Sequence, residues 1–199
     1  REAFIGCRSL TSVIIPDSVS IIGWAAFVGC SSLKNITIPD KVTSIVDHAF
    51  AHCTSLTSII IPQGITRIGQ QTFNNCTSLT SINIHENVYT IGLHAFENCT
   101  SLKNVTIAKG VKSIRSYAFS GCTNLTSITI PDSIKEIGND AFKGCTSLTS
   151  VTFLGDSPES HLVGPSPFDE AATIYRKPEA KGWGDTFTGR PVKLISGKP

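Results

Sequence analysis

The stretch that decides the fold is Leu33-Lys34-Asn35-Ile36-Thr37-Ile38-Pro39-Asp40-Lys41-Val42-Thr43-Ser44-Ile45-Val46-Asp47-His48-Ala49-Phe50-Ala51-His52-Cys53. Ile36 and Ile38 are two apart, so on a strand both point to one face. Leu33 anchors the entry on the same side. Pro39 lacks an N–H and helps end the strand. Val42 and Ile45 bring the chain back to the core. Ala49, Phe50 and Cys53 have the spacing that puts side chains on one face of a short helical turn.

This stretch recurs. Phe stands at 4, 27, 50, 73, 96, 119 and 142, and Cys at 7, 30, 53, 76, 99, 122 and 145. Leu stands at 10, 33, 56, 79, 102, 125 and 148, so all three series advance by 23 residues without a break. Such a period marks a solenoid, because one unit cannot bury its apolar side and stacked units can. The spacing Leu-x-x-Ile-x-Ile opens a leucine-rich repeat. The expected fold is an α/β-type solenoid with a parallel sheet on one face, short helical turns opposite, and a C-terminal cap. Residues 1–153 form the array. Residues 154–199 form a degenerate unit and cap within the same domain.

Several residues support the cap. Phe168-x-x-Ala171 resembles one more Phe-x-x-Cys, placed 26 residues after Phe142 rather than 23. Thr173-Ile174-Tyr175 reads as a shortened strand and Pro191–Ile195 as a last one. Trp183 and Phe187 are expected to cover the final coil, as an atypical end unit must. No such unit precedes Arg1. Together with the absence of Met, this suggests a piece of a longer chain with more protein or a partner at that end.

Seven cysteines invite a disulfide framework. Equivalent side chains on stacked coils point in parallel, however, and a bridge needs its two Cβ atoms turned toward each other. The expectation is a ladder of buried, inert thiols beside the phenylalanine column.

Composition narrows function. Lys and Arg number 17 against 15 acidic residues, without clustering, which argues against nucleic-acid binding. No apolar run reaches the ~18 residues of a membrane helix. No nucleophile elbow, phosphate loop, HExxH or CxxC is present, so no enzyme is expected and no cofactor. His48 and His52 lie four apart, too few ligands for a metal site.

The repeats closely resemble those of the BspA-like leucine-rich repeat family, as in Ile128-Thr129-Ile130-Pro131-Asp132-Ser133-Ile134 and Ile137-Gly138-x-x-Ala141-Phe142-x-Gly144-Cys145-Thr146-Ser147-Leu148. Ala172–Tyr175 with Gly182-Trp183 and Gly189-Arg190-Pro191 looks like the segment that often ends such arrays. The resemblance implies a secreted or cell-surface protein with an adhesive role toward host, matrix or neighbouring-cell proteins, and no shared catalytic residues. Departures are few: Val46 and Arg115 replace the repeat's Gly, and His85 and Ala108 its Pro.

The expected ligand surface is the outward row of the sheet. It comprises Asn35, Thr37, Ser58, Ile60, Ser81, Asn83, Asn104, Thr106, Ser127 and Thr129, flanked by Ser12, Ile14, Ser150 and Thr152. This nearly uncharged surface suits a protein or glycan partner, although the same residues are also ordinary strand formers. Ice or crystal-surface binding fits less well, because the rows mix Ser, Asn, Ile and Thr. Trp24, His48, His52, Gln71, Leu93, His94 and Tyr117 form a second, turn-side surface. Asn35, Asn75, Asn98, Asn104 and Asn124 begin glycosylation sequons that the repeat itself generates. The rival to a binding role is an inert spacer carrying other domains.

Overall fold

The computed structural model describes residues 1–158, 166–169 and 172–195. The chain winds as a succession of 23-residue coils, and two parallel faces of strands run along it. The main face contains β4 (Ser81–Ile84) paired with β6 (Asn104–Ile107), and beyond a break in the pairing β8 (Ser127–Ile130), β10 (Ser150–Phe153) and β11 (Thr173–Arg176) in a second hydrogen-bonded group. Their registers pair equivalent residues one repeat apart, Ser81 with Asn104 and Ser127 with Ser150. Nearer the first coil this face is reduced to a bridge between Ile14 and Thr37. The second ladder uses two-residue strands: β1 (Ile21–Ile22), β2 (Ser44–Ile45), β3 (Arg67–Ile68), β5 (Thr90–Ile91), β7 (Ser113–Ile114) and β9 (Glu136–Ile137). It places the second branched residue of each pair in the core, as with fully buried Ile91 and Ile114.

The side opposite the main sheet holds no helix among the described residues, which corrects the expected helical turns. Two residues per coil adopt left-handed backbone, four positions apart: Ala25 and Gly29, His48 and His52, Gln71 and Asn75, His94 and Asn98. A right-handed helix cannot pass through them. The segment is instead a string of turns in which donors alternate. Ala26, Val28 and Cys30 donate to carbonyls three residues back, while Ala25, Phe27 and Gly29 donate to Asp47, Ala49 and Ala51 of the next coil. Every second N–H thus stitches coil to coil, which offsets a left-handed cost of about 1–2 kcal/mol per non-glycine residue.

Inside, the phenylalanines stack in one file from Phe4 to Phe168, with ring centroids 5.2–5.7 Å apart and planes within 14° of parallel. Beside them Cys30, Cys53, Cys76, Cys99, Cys122 and Cys145 are buried and unbridged. Cys7 is exposed, so the buried ladder has six members rather than seven. The thiols also do more than fill space. Each Sγ donates to the carbonyl of the Phe one coil earlier, as Cys53 to Phe27 at 3.1 Å and Cys99 to Phe73 at 3.2 Å.

The described tail residues continue the sheet, which corrects the expected C-terminal cap. β11 pairs with β10 in a step of 23, Ser150 with Thr173. Phe168 nonetheless bridges Phe142 at a step of 26. The three residues added before Phe168 are therefore removed again before β11, which has full length rather than the shortened form expected. β13 (Arg190–Leu194) adds to β11 in parallel and pairs antiparallel with β12 (Thr186–Phe187). Trp183 and Phe187 pack on Phe153 with centroids at 4.8 and 5.6 Å. Ala171 lies outside the described residues.

Candidate binding surfaces

On the main sheet, alternation decides what faces outward. Ile82, Ile84, Ile128 and Ile130 point in, leaving Ser81, Asn83, Ser127 and Thr129 exposed. Asn35, Thr37, Ser58, Asn104 and Thr106 are exposed in the same rows. Ser150 and Thr152 are half-buried. Ile14 and Ile60 stand out at 93% and 84% exposure, on coils two apart with Thr37 between them. A depression of about 190 Å³ on this face lies over Asn104, Thr106, Ser127 and Thr129 beside Lys103.

Hydroxyls along the margin of this face are engaged along the solenoid axis. Thr57 Oγ1 donates to Lys34 O and Thr80 Oγ1 to Thr57 O, both at 3.3 Å. Asn35 accepts from Thr57 at 3.3 Å. Such rows hold side chains in fixed rotamers, which lowers the entropic cost of contact with a ligand.

The turn-side residues behave differently. Trp24 meets His48 edge-on at 5.7 Å. His94 stacks on Tyr117 at 4.8 Å and 7°. His94 Nδ1 lies 2.9 Å from Glu97 Oε2, and that oxygen accepts a hydrogen bond from Asn74 at 2.9 Å. Asp140, as hydrogen-bond acceptor and negative charge, holds the Tyr117 phenol above its usual range. These side chains bind one another across coils. His48 and His52 both have positive φ and sit on turns, not on one helix face. Sequence reasoning noted these residues but not their mutual pairing, which depends on stacking one repeat on the next.

His85, at a proline position, is buried with Nε2 2.9 Å from Pro62 O. It bonds to the coil below it rather than to a ligand. No group of three or more metal-ligating side chains occurs among the described residues. No helix among them is long and apolar enough to cross a membrane.

Comparison with known proteins places this geometry. A search of curated proteins finds no match. Among solved structures, a leucine rich cell surface protein of Faecalibacterium prausnitzii is 40% identical over 76% of this chain, with a TM-score of 0.67. The Treponema pallidum leucine rich repeat protein is 37% identical over 74% of the chain, also at 0.67. A leucine-rich repeat protein of Bacteroides ovatus is 26% identical over 98%, again at 0.67. The chain spans 40%, 69% and 63% of those three proteins. The BspA type leucine rich repeat region matches in six copies over residues 1–125 and 75–160. The 23-residue coils, their phenylalanine and cysteine files and these matches agree: the chain belongs to the BspA-type leucine-rich repeat family.

Proposed function

We propose that the chain is a non-enzymatic recognition module of a secreted or cell-surface protein, and that it binds a protein or glycan partner through its main sheet. The observation that carries this reading is the face itself: flat and nearly uncharged, with Ile14 and Ile60 standing clear of a polar field. Exposed apolar side chains on an ordered polar surface are the anchors that interfaces use. The naming of the Faecalibacterium relative as a cell surface protein supports the extracellular placement. In this reading residues 1–153 carry the array and residues 154–199 complete the same domain.

A pull-down of extracellular-matrix and host-surface proteins with the isolated chain tests the proposal. A captured partner should be lost on combined Asn35→Glu, Ile60→Glu and Asn83→Glu substitution, because unpaired charge buried at an interface costs several kcal/mol, about a hundredfold or more in affinity. All three residues are exposed, so the fold should tolerate the changes. Retained binding would move the site off this face. No specific partner at about micromolar concentration would favour the spacer role.

A further inference from the structure

The second ladder and the turns meet along a corner whose floor is the glycine column. Along that floor stand Gly23, Val46, Gly69, Gly92, Arg115 and Gly138. Gly69 and Gly92, on two adjacent coils of that column, line a depression against which the Arg115 side chain stands. The result is a trough of about 440 Å³ walled by Asp47, Arg67, Leu93 and Arg115, which stand on four successive coils. Two coils span roughly 10 Å at the usual strand spacing.

We propose that this trough binds a short segment of a neutral glycan, about two pyranose rings long. It is a site separate from the main sheet. Its charge is balanced. Arg67 lies 3.2 Å from Asp47, and Arg115 lies 3.1 Å from Glu136. Each guanidinium is more than half exposed and each contact uses one terminal nitrogen. The remaining N–H groups stay available beside carboxylate acceptors. Donors and acceptors held side by side without net charge suit vicinal hydroxyls, not an anion. Leu93, 37% exposed, offers an apolar wall for the C–H face of a ring.

A peptide fits less well. Gly92 N already donates to Ile68 O and Arg115 N to Ile91 O, both at 2.9 Å, so this floor offers no free strand edge.

Titration calorimetry of the full 199-residue chain tests this with soluble β-linked oligomers of glucose and of N-acetylglucosamine. A sulfated heparin oligomer serves as the charged comparison. At least one neutral oligomer should bind. Arg67→Ala and Arg115→Ala should each weaken it about tenfold or more, and both variants should fold because exposed ion pairs contribute little stability. Asn83→Glu, on the main sheet, should leave it unaltered, so failure here is distinguishable from failure of the sheet-face reading. The proposal is overturned if no neutral oligomer binds at about ten millimolar, if only heparin binds, or if both arginine variants bind as the parent does.

Discussion

Replacing Phe96 with alanine should lower stability by about 3–5 kcal/mol, the range for removing a fully buried aromatic ring. Phe96 is fully buried. Its ring lies 5.2 Å from Phe73 and 5.2 Å from Phe119. Alanine would leave a cavity in the middle of the file and remove two aromatic contacts, each worth about 0.5–1.5 kcal/mol beyond burial. Solenoid stability is a sum over neighbouring coils, so a gap in the middle weakens both halves at once. Phe4→Ala makes the contrast. Phe4 is part-exposed and stacks on Phe27 alone. Its loss should cost less than about half as much by the same reckoning. Urea midpoints measure both. Equal losses at the two positions would mean that the rings do not form one continuous file.

The array should also unfold in alkali, for a reason that lies in the cysteine ladder. Burial, and secondarily the charge of neighbouring thiols on the ladder, pushes Cys53 up to about 12 and raises Cys76 well above the usual 9.0. Burial alone pushes Cys99 up to about 12. Burial, followed by the hydrogen bond and charge of Cys145, also raises Cys122 well above that value. A raised folded-state pKa means that the folded chain holds its proton when the unfolded chain has lost it. The stabilisation is complete below the unfolded value near 9 and is lost as pH climbs from there toward the folded values. Each such thiol removes about 1.4 kcal/mol per pH unit in that window, so four together remove roughly 5. A domain with 5–15 kcal/mol in hand should therefore unfold between about pH 10 and 12. Urea titrations under reducing conditions at a series of pH values check the slope. The double variant Cys76→Ala, Cys99→Ala should show about half of it. An unchanged slope would remove the thiols from the explanation.

Much of the scaffold was legible in the sequence. The period of 23 set the coil, and the alternation Ile36, Ile38 set which side of the sheet is buried. The second ladder was not legible, because two-residue strands such as Ser44–Ile45 are too short to carry a periodicity. The turns misled for another reason. Ala49, Phe50 and Cys53 share a face on a helix and on a string of turns alike. The discriminating signal lay one residue before six of the seven cysteines, where Gly6, Gly29, Asn75, Asn98, Gly121 and Gly144 tolerate left-handed backbone; His52, before Cys53, adopts it without that signal. The outward sheet rows were readable from alternation. The trough was not, since Asp47, Arg67, Leu93 and Arg115 come together only when the coils are stacked.

Thiol counting with a fast, membrane-impermeant maleimide at neutral pH tests the stacked-coil account most directly. In the native chain only Cys7 should label, and all seven cysteines should label once the chain is unfolded in denaturant without reductant. Several rapidly labelled thiols in the native state, or fewer than seven after unfolding, would mean that the cysteines are exposed or bridged, and would contradict the ladder and the register that creates it.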